Sequence, residues 1–455
     1  MPKIKRPPLL LVLMLPVLDV CFVPKADASI RFNSKADFLS PLDYGAKAND
    51  NFDDSDAFQK CLNEAKKREG AKIIIPPGKF IIANELKLVE INNLIIEGNG
   101  TTLIKPLNNG TNIFYGSYNR QITIRDLTFE GNRSESFDEE WPHKMNACAI
   151  LGKSSGIRFE NCVIKDFHYG VCFGTSTENG YDVWVVNCQF FNCNSDVDLY
   201  GKPAVHIVGN SSHNCSGNSI QIEPPYKREE GYYDYKQQPR IEALSVGNIV
   251  SENVIEECKG VGIVIFGGCE NITISNNQII NFGGTGIQTH DGASNLIIRD
   301  NIISNSKHED MNNRPWTSSG AGVMVAKVSN IIVSGNLISH TNTGIYVSRA
   351  TGALLSNNKL ADSKDAGICL YEASQCILNA NQICNFNLSR SWWASSGIVF
   401  HYSRDITVSE SVIIDTVGND YSIYSSESER IKVINTTGSG YKKSLTFPMN
   451  LSDKK

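Results

Sequence analysis

The stretch TGIQTHDGAS, Thr285 to Ser294, sets a histidine beside an aspartate. Its first half, G-I-x-I, recurs along the C-terminal half of the chain, but no other copy is followed by His290-Asp291. Superposing the copies puts His290 in a column with Glu223 and His401, and Asp291 in the next column with Lys327, Arg349, Glu372 and Tyr402. A neutral imidazole is a base suited to pH 7, and a nearby Lys favours its neutral form. Two cations would neutralise a sugar carboxylate and stabilise the charge that develops when its C5 proton is removed. These residues therefore suit proton abstraction from a uronate, with His290 as base, Lys327 and Arg349 as neutralising groups and Tyr346 as proton donor on the other face. Glycoside hydrolysis by paired carboxylates is the competing chemistry. Its candidates are Glu223, Asp291 and Glu372, with Asp196 and Asp198 in NSDVDLYG.

Such residues act together only if the chain stacks them, and the repeat supplies the stacking. G-I-x-I elements begin at Gly170, Ser219, Gly262, Gly286, Gly322, Gly344, Gly367 and Gly397, with compact spacings of 24, 22 and 23 residues. A second short strand follows each, of the form N-I-x-I-x-x-N-x-I, as in NITISNNQI and NIIVSGNLI. Ile and Val alternating with period two, with Asn, Ser and Gly at the corners, describe one coil of a parallel β-helix. The outward positions of the G-I-x-I strand then form one column through Gln221, Gln288 and Tyr346 and a second through Glu223, His290 and His401. Coils rise about 4.8 Å, so His290 and Asp291 should lie roughly 5 Å from Lys327, 10 Å from Arg349 and 15 Å from Glu372. Insertions at 131–146, 306–319 and 386–396 all precede a G-I-x-I strand and carry Trp141, Trp316, Trp392 and Trp393. Indole faces suit sugar C–H groups. They would form one wall of a groove, and residues 224–240, beyond Glu223, the other. Gln221, Gln288, His401 and Tyr402 would contact substrate within it.

Before the coils, DDSDAFQKCLNEAKKREG places Ala57, Phe58, Cys61, Leu62 and Ala65 on one helical face, acids at its start and Gly70 behind it. A helix here would cover the open end of the solenoid. The segment Leu42 to Ile82, with D-x-G-A, then Asp and Ala on a helix, then I-P-x-G-x-F, resembles the entry segment of the pectate-lyase-like superfamily. The resemblance implies an all-β fold, a single-stranded right-handed parallel β-helix with an N-terminal capping α-helix. It also implies a polysaccharide lyase, polygalacturonase-related hydrolase or uronan C5-epimerase, among other activities. GIQTHDGASNLII is similar to alginate C5-epimerase text in which a His-Asp pair follows the same strand, with Gln288-Thr289 in place of that family's Asp-Pro. Asp196 stands in text similar to the polygalacturonase N-T-D, whose later Asp-Asp and Gly-His-Gly motifs are missing.

Bulk properties bound the alternatives. Residues 1–28 read as a secretory signal: a basic start (Lys3, Lys5, Arg6), an apolar stretch from Leu9 to Leu18, and Ala26-Asp27-Ala28. Export to the cell surface, the periplasm or the medium is expected, and the apolar run is too short for a membrane span. Residues 29–455 form one β-helix domain, with the cap at about 42–82 and coils at about 83–440. The net charge of −5 becomes −7 without the signal, which argues against nucleic acid as partner and leaves a polysaccharide. The twelve cysteines after Cys21 read as small core hydrophobes rather than a disulfide framework. No cofactor is required, and calcium-binding motifs of pectate lyases are unrecognisable. Outward residues of any solenoid tend to be polar, so a non-catalytic glycan-binding β-helix is the third reading.

Overall fold

The computed structural model describes residues 38–68, 70–107, 112–133, 146–151, 154–174, 182–200, 204–223, 247–290, 292–308, 320–388, 396–416, 418–419 and 421–440. The chain winds as a right-handed parallel β-helix. Each coil visits three sheets, A, B and C, as in Glu270–Ser275, Gln278–Ile280 and Ile287–Thr289, before Ser294–Arg299 begins the next turn. Sheets A, B and C contain 15, 14 and 13 strands, and every recorded strand pair is parallel and joins neighbouring coils. The G-I-x-I strands are the strands of sheet C.

Alternation fills the interior with aliphatic stacks. Ile287, Val323, Ile345, Ile368 and Ile398 lie in register on sheet C, and each is fully buried. Ile279, Ile303 and Ile338 do the same on sheet B. In the coils from Gly262 to Gly397 the glycine opening the sheet C strand has ordinary φ but no room for a side chain. A Cβ on Gly322 would lie 2.3 Å from Ile338 Cγ2, and one on Gly344 2.5 Å from the Gly367 carbonyl oxygen. That position points into the core, at the central sheet B residue of the next coil.

At the corner between sheets A and B, one residue adopts the left-handed region and the next is a buried asparagine. Asn210, Asn253, Asn277, Asn301, Asn336, Asn358 and Asn381 form a ladder through seven successive coils. Asn277 shows the unit. Its Nδ2 donates to Asn301 Oδ1 (3.0 Å) and to the Val250 carbonyl (2.9 Å), while its Oδ1 accepts from the Asn253 side chain (2.9 Å) and backbone N–H (3.0 Å). All four hydrogen-bonding sites of a buried amide are thus used, as burial demands. Cys162 and Cys188 occupy the same corner in the two preceding coils. The Cys188 thiol donates to the Phe159 carbonyl (3.5 Å), as the Asn210 amide does to Val185 (2.9 Å). The last asparagine of N-I-x-I-x-x-N is therefore a structural amide.

The cap is helix α1, Ser55–Lys66, with Phe58, Cys61, Leu62 and Ala65 buried and Phe58 edge-on to Phe80 at 5.4 Å. Asp54, at its N-cap, makes no cap bond to the helix. Its carboxylate accepts instead from the backbone N–H groups of Lys47 (2.8 Å) and Ile81 (3.2 Å), tying helix to coil. All twelve cysteines after Cys21 are free thiols, eleven of them buried, as expected of core hydrophobes. No helix among the described residues is long and apolar enough to cross a membrane.

Asn301→Leu removes the acceptor of the Asn277 backbone N–H and of one Asn277 side-chain N–H, and the side-chain donor to the Ile274 carbonyl, each costing about 1–3 kcal/mol. Chemical denaturation should show a loss of about 3 kcal/mol or more. Asn305→Ala, at an exposed corner on the same coil, should lose under about 1 kcal/mol.

Candidate functional site

The outward columns on sheet C follow the order expected from the repeat. Gln221 pairs in register with Val264, then Gln288, Met324, Tyr346, Cys369 and Val399. The second column runs through Ala326, Ser348, Tyr371 and His401. One coil is added to the columns at their N-terminal side. Ser195–Tyr200 is a sheet C strand between Tyr169–Gly174 and Ile220–Glu223, and it sets Asp198 opposite Gln221 and Tyr200 opposite Glu223. Its opening residue is Asp196 rather than glycine, which hid the strand from the repeat. The distance from Gly170 to Ser219, close to two periods, was the available signal.

Two groups of side chains occupy this face. The first spans the strands from Asp198 to His290. Asp198 and Glu223 are buried, at 0% and 3% exposure. The Gln221 amide donates to Glu223 Oε1 and accepts from Asn218 Nδ2 at 3.0 Å. Two coils on, the Gln288 side-chain amide contacts His290 Nε2, and the imidazole stacks on Phe266 with centroids 5.6 Å apart. Glutamine thus fixes a titratable neighbour two residues along its own strand in both coils, and the Phe266 coil spaces them. Phe266 was not foreseen as a partner of His290.

The second group belongs to the C-terminal coils and differs from expectation. Met324, Tyr346, Cys369 and Val399 point outward yet are 9% exposed or less, forming with Ala321, Ala326 and Ala366 a small apolar core outside the coil. Burial pushes the Tyr346 hydroxyl well above its ordinary pKa and keeps it a neutral phenol. Tyr346 is therefore packing rather than a displayed proton donor.

Lys327, Arg349, Glu372 and Tyr402 follow one another up the coils as expected. All four take φ near 50°, so they sit at the left-handed corner where the strand has ended. Arg349 is turned to Glu372, Nε to Oε2 at 2.7 Å, with both side chains over a third exposed. The Arg349 hydrogen bond, helped by Tyr371, holds the Glu372 carboxyl below its usual range. Arg349 is thus engaged by an acid of its own surface, which corrects its assignment as neutraliser of a substrate carboxylate. His401 lies 7% exposed and edge-on to Tyr424, and Tyr402, 48% exposed, is edge-on to Tyr371 at 5.8 Å. Asp196 points into the core, so it cannot act in the groove. Asp291, Trp141, Trp316, Trp392 and Trp393 lie outside the described residues. The insertions that carry the tryptophans all connect sheet B to sheet C, and residues 224–246 leave the opposite end of the sheet C strand at Glu223. No group of three or more metal-ligating side chains occurs among the described residues.

The chain belongs to the family of the right-handed beta helix region, which matches residues 112–303 and 302–443. Residues 38–119 match the rhamnogalacturonase A/epimerase, pectate lyase-like family, as the entry segment suggested. The chain is 25% identical over 389 residues to YclG of Bacillus subtilis, an uncharacterized protein, covering 76% of this chain and 62% of that one. Similar solved structures include the Agl-KA catalytic domain (TM-score 0.58, 15% identity, 90% of this chain and 69% of that one). The family 28 exopolygalacturonase of Yersinia enterocolitica is another (TM-score 0.52, 12% identity, 88% and 79%). The catalytic unit of the GH87 α-1,3-glucanase from Streptomyces thermodiastaticus is a third (TM-score 0.51, 15% identity, 91% and 71%). At these identities the likeness establishes the fold and leaves the chemistry to the residues.

Tyr346→Ala removes the centre of the outer apolar core and should destabilise the protein by about 3–5 kcal/mol in denaturant titrations. Tyr402→Ala, at an exposed corner, should leave the midpoint nearly unchanged.

Proposed function

We propose that the protein is an exported glycoside hydrolase acting on a polysaccharide laid along sheet C, with Asp198 and Glu223 as its carboxyl pair. The observation that carries this reading is their placement: two buried carboxyls on adjacent coils, on the outer face, two residues out of register. One coil of rise and two residues of strand put their Cα atoms about 8 Å apart. Hydrolases work with carboxyl separations of roughly 5 to 9.5 Å, set by whether a water must fit between. One carboxyl would protonate the departing glycosidic oxygen while the other activates water or attacks the anomeric carbon. Gln221, bonded to Glu223, would hold that carboxyl in place, and Phe266 offers a ring on the next coil.

His290 favours a second reading, C5-proton abstraction, because it lies on the same face two coils from Glu223 and its ring is fixed by Gln288 and Phe266. Arg349 is unsuited to it, being paired with Glu372. The two readings separate on a panel of neutral glycans and uronans. Hydrolysis yields new reducing ends without absorbance near 230 nm, elimination yields that absorbance, and epimerisation changes the proton spectrum without cleavage. Asp198→Asn and Glu223→Gln should each lower kcat/KM by roughly 10²–10⁴-fold with little loss of folding. Full activity in both variants, or unsaturated products abolished by His290→Ala, would exclude the carboxyl pair.

A further inference from the structure

The coil that presents Asp198 also departs from the repeat on its inner face. In the coils from Gly262 to Gly397, the residue opening the sheet C strand is a glycine that faces an isoleucine or leucine of sheet B in the next coil. Here the glycine is replaced by Asp196 and the facing aliphatic residue by Ser212. The acid enters the space that the lost aliphatic side chain would fill. Asp196 is 1% exposed, and one of its oxygens accepts from Ser212 Oγ (2.5 Å) and Ser219 Oγ (2.6 Å). The other oxygen has no hydrogen-bond partner among the described residues. Beside it is a cavity of about 10 Å³ lined by Phe190, Asn210, Ile220 and Asn253, with room for no more than one water.

The backbone is altered at the same point. The N–H groups of Asp196 and Val197 both donate to the Ser219 carbonyl at 3.0 Å. In a regular coil, successive N–H groups use successive carbonyls, as Gly286 and Ile287 do with Ala321 and Gly322. Two residues beyond this distortion lies Asp198, buried on the outer face. The polar interior and the outward acid are thus properties of one short strand, Ser195–Tyr200.

We propose that Asp196 is a positioning residue for Asp198, a carboxyl enclosed inside the coil whose ionisation loosens the strand that presents Asp198. The proposal rests on the hydrolase reading for its consequence, but not for the switch itself. An ionised Asp196 would be an uncompensated charge in the core, and the strand must open to admit water to it. Burial raises the Asp196 pKa from 3.8 to about 7, opposed by the two serine hydroxyls. The other titratable groups beside it are the thiols of Cys193 and Cys215, themselves pushed up by burial, and no cation contributes to its shift. The folded pKa lies above the unfolded one, so the linked stability is complete below about pH 4. It falls as pH rises to about 7 and is flat beyond, by up to about tenfold in the folding constant per pH unit.

The test compares wild type, Asp196→Asn and the double variant Asp196→Gly/Ser212→Ile, which restores the pair used by the other coils. Between pH 5 and 8.5, wild type should lose folding stability relative to Asp196→Asn. Hydrogen exchange at the amides of Val197 to Leu199 should accelerate beyond its intrinsic pH dependence in wild type only. The double variant should be stable across this range, yet should cleave glycan at least tenfold more slowly at pH 6, because Asp198 is no longer held by the distorted strand. Ser212→Ala, which removes a bond to the ionised form, should move the wild-type transition to higher pH. Parallel stability and exchange curves in wild type and Asp196→Asn would overturn the switch. A double variant with wild-type kcat and pH profile would overturn the positioning role. If wild type cleaves no glycan while the exchange difference persists, the hydrolase reading fails and the buried acid remains.

Discussion

The structure depends on satisfying buried polar groups at the corners where the chain turns inside its own core. A parallel coil pairs its strands with the coils above and below, but each corner carries amides and carbonyls that the sheets do not reach. The asparagine ladder answers this with one side chain per coil, each bonded to its own coil's predecessor and successor. Because every Asn needs the next one in register, the ladder fixes the rotation of each coil on its neighbour. That registration turns residues tens of positions apart in sequence into neighbours on sheet C.

Two kinds of departure from the repeat then acquire meaning. On the outer face, the C-terminal coils spend their outward positions on a second apolar core around Met324 and Tyr346, leaving the acids and His290 to the coils before it. On the inner face, Asp196 and Ser212 replace a glycine and an aliphatic residue in a single coil. Asp198, the partner of Gln221 across the coils, belongs to the strand where both faces are altered.

The register of the outward columns was legible in the sequence, because G-I-x-I marks one position per coil and parallel stacking preserves it. Gln221, Gln288 and Tyr346 fall where that spacing places them. The Ser195–Tyr200 coil was illegible for the same reason, since its marker glycine is an aspartate. The pairing of Arg349 with Glu372 was beyond reach, as two long side chains on adjacent corners can turn toward each other or apart. The burial of Tyr346 was also beyond reach. An outward position on a strand says nothing of what the chain lays over it.

Sequence alone determined the coil, its period, its cap and the order of side chains along sheet C. Those follow from local alternation and from a repeat that leaves one stacking register. Tertiary structure decided which outward residues are exposed and which are packed, and which charges are engaged. These depend on contacts between coils, which a linear pattern does not carry.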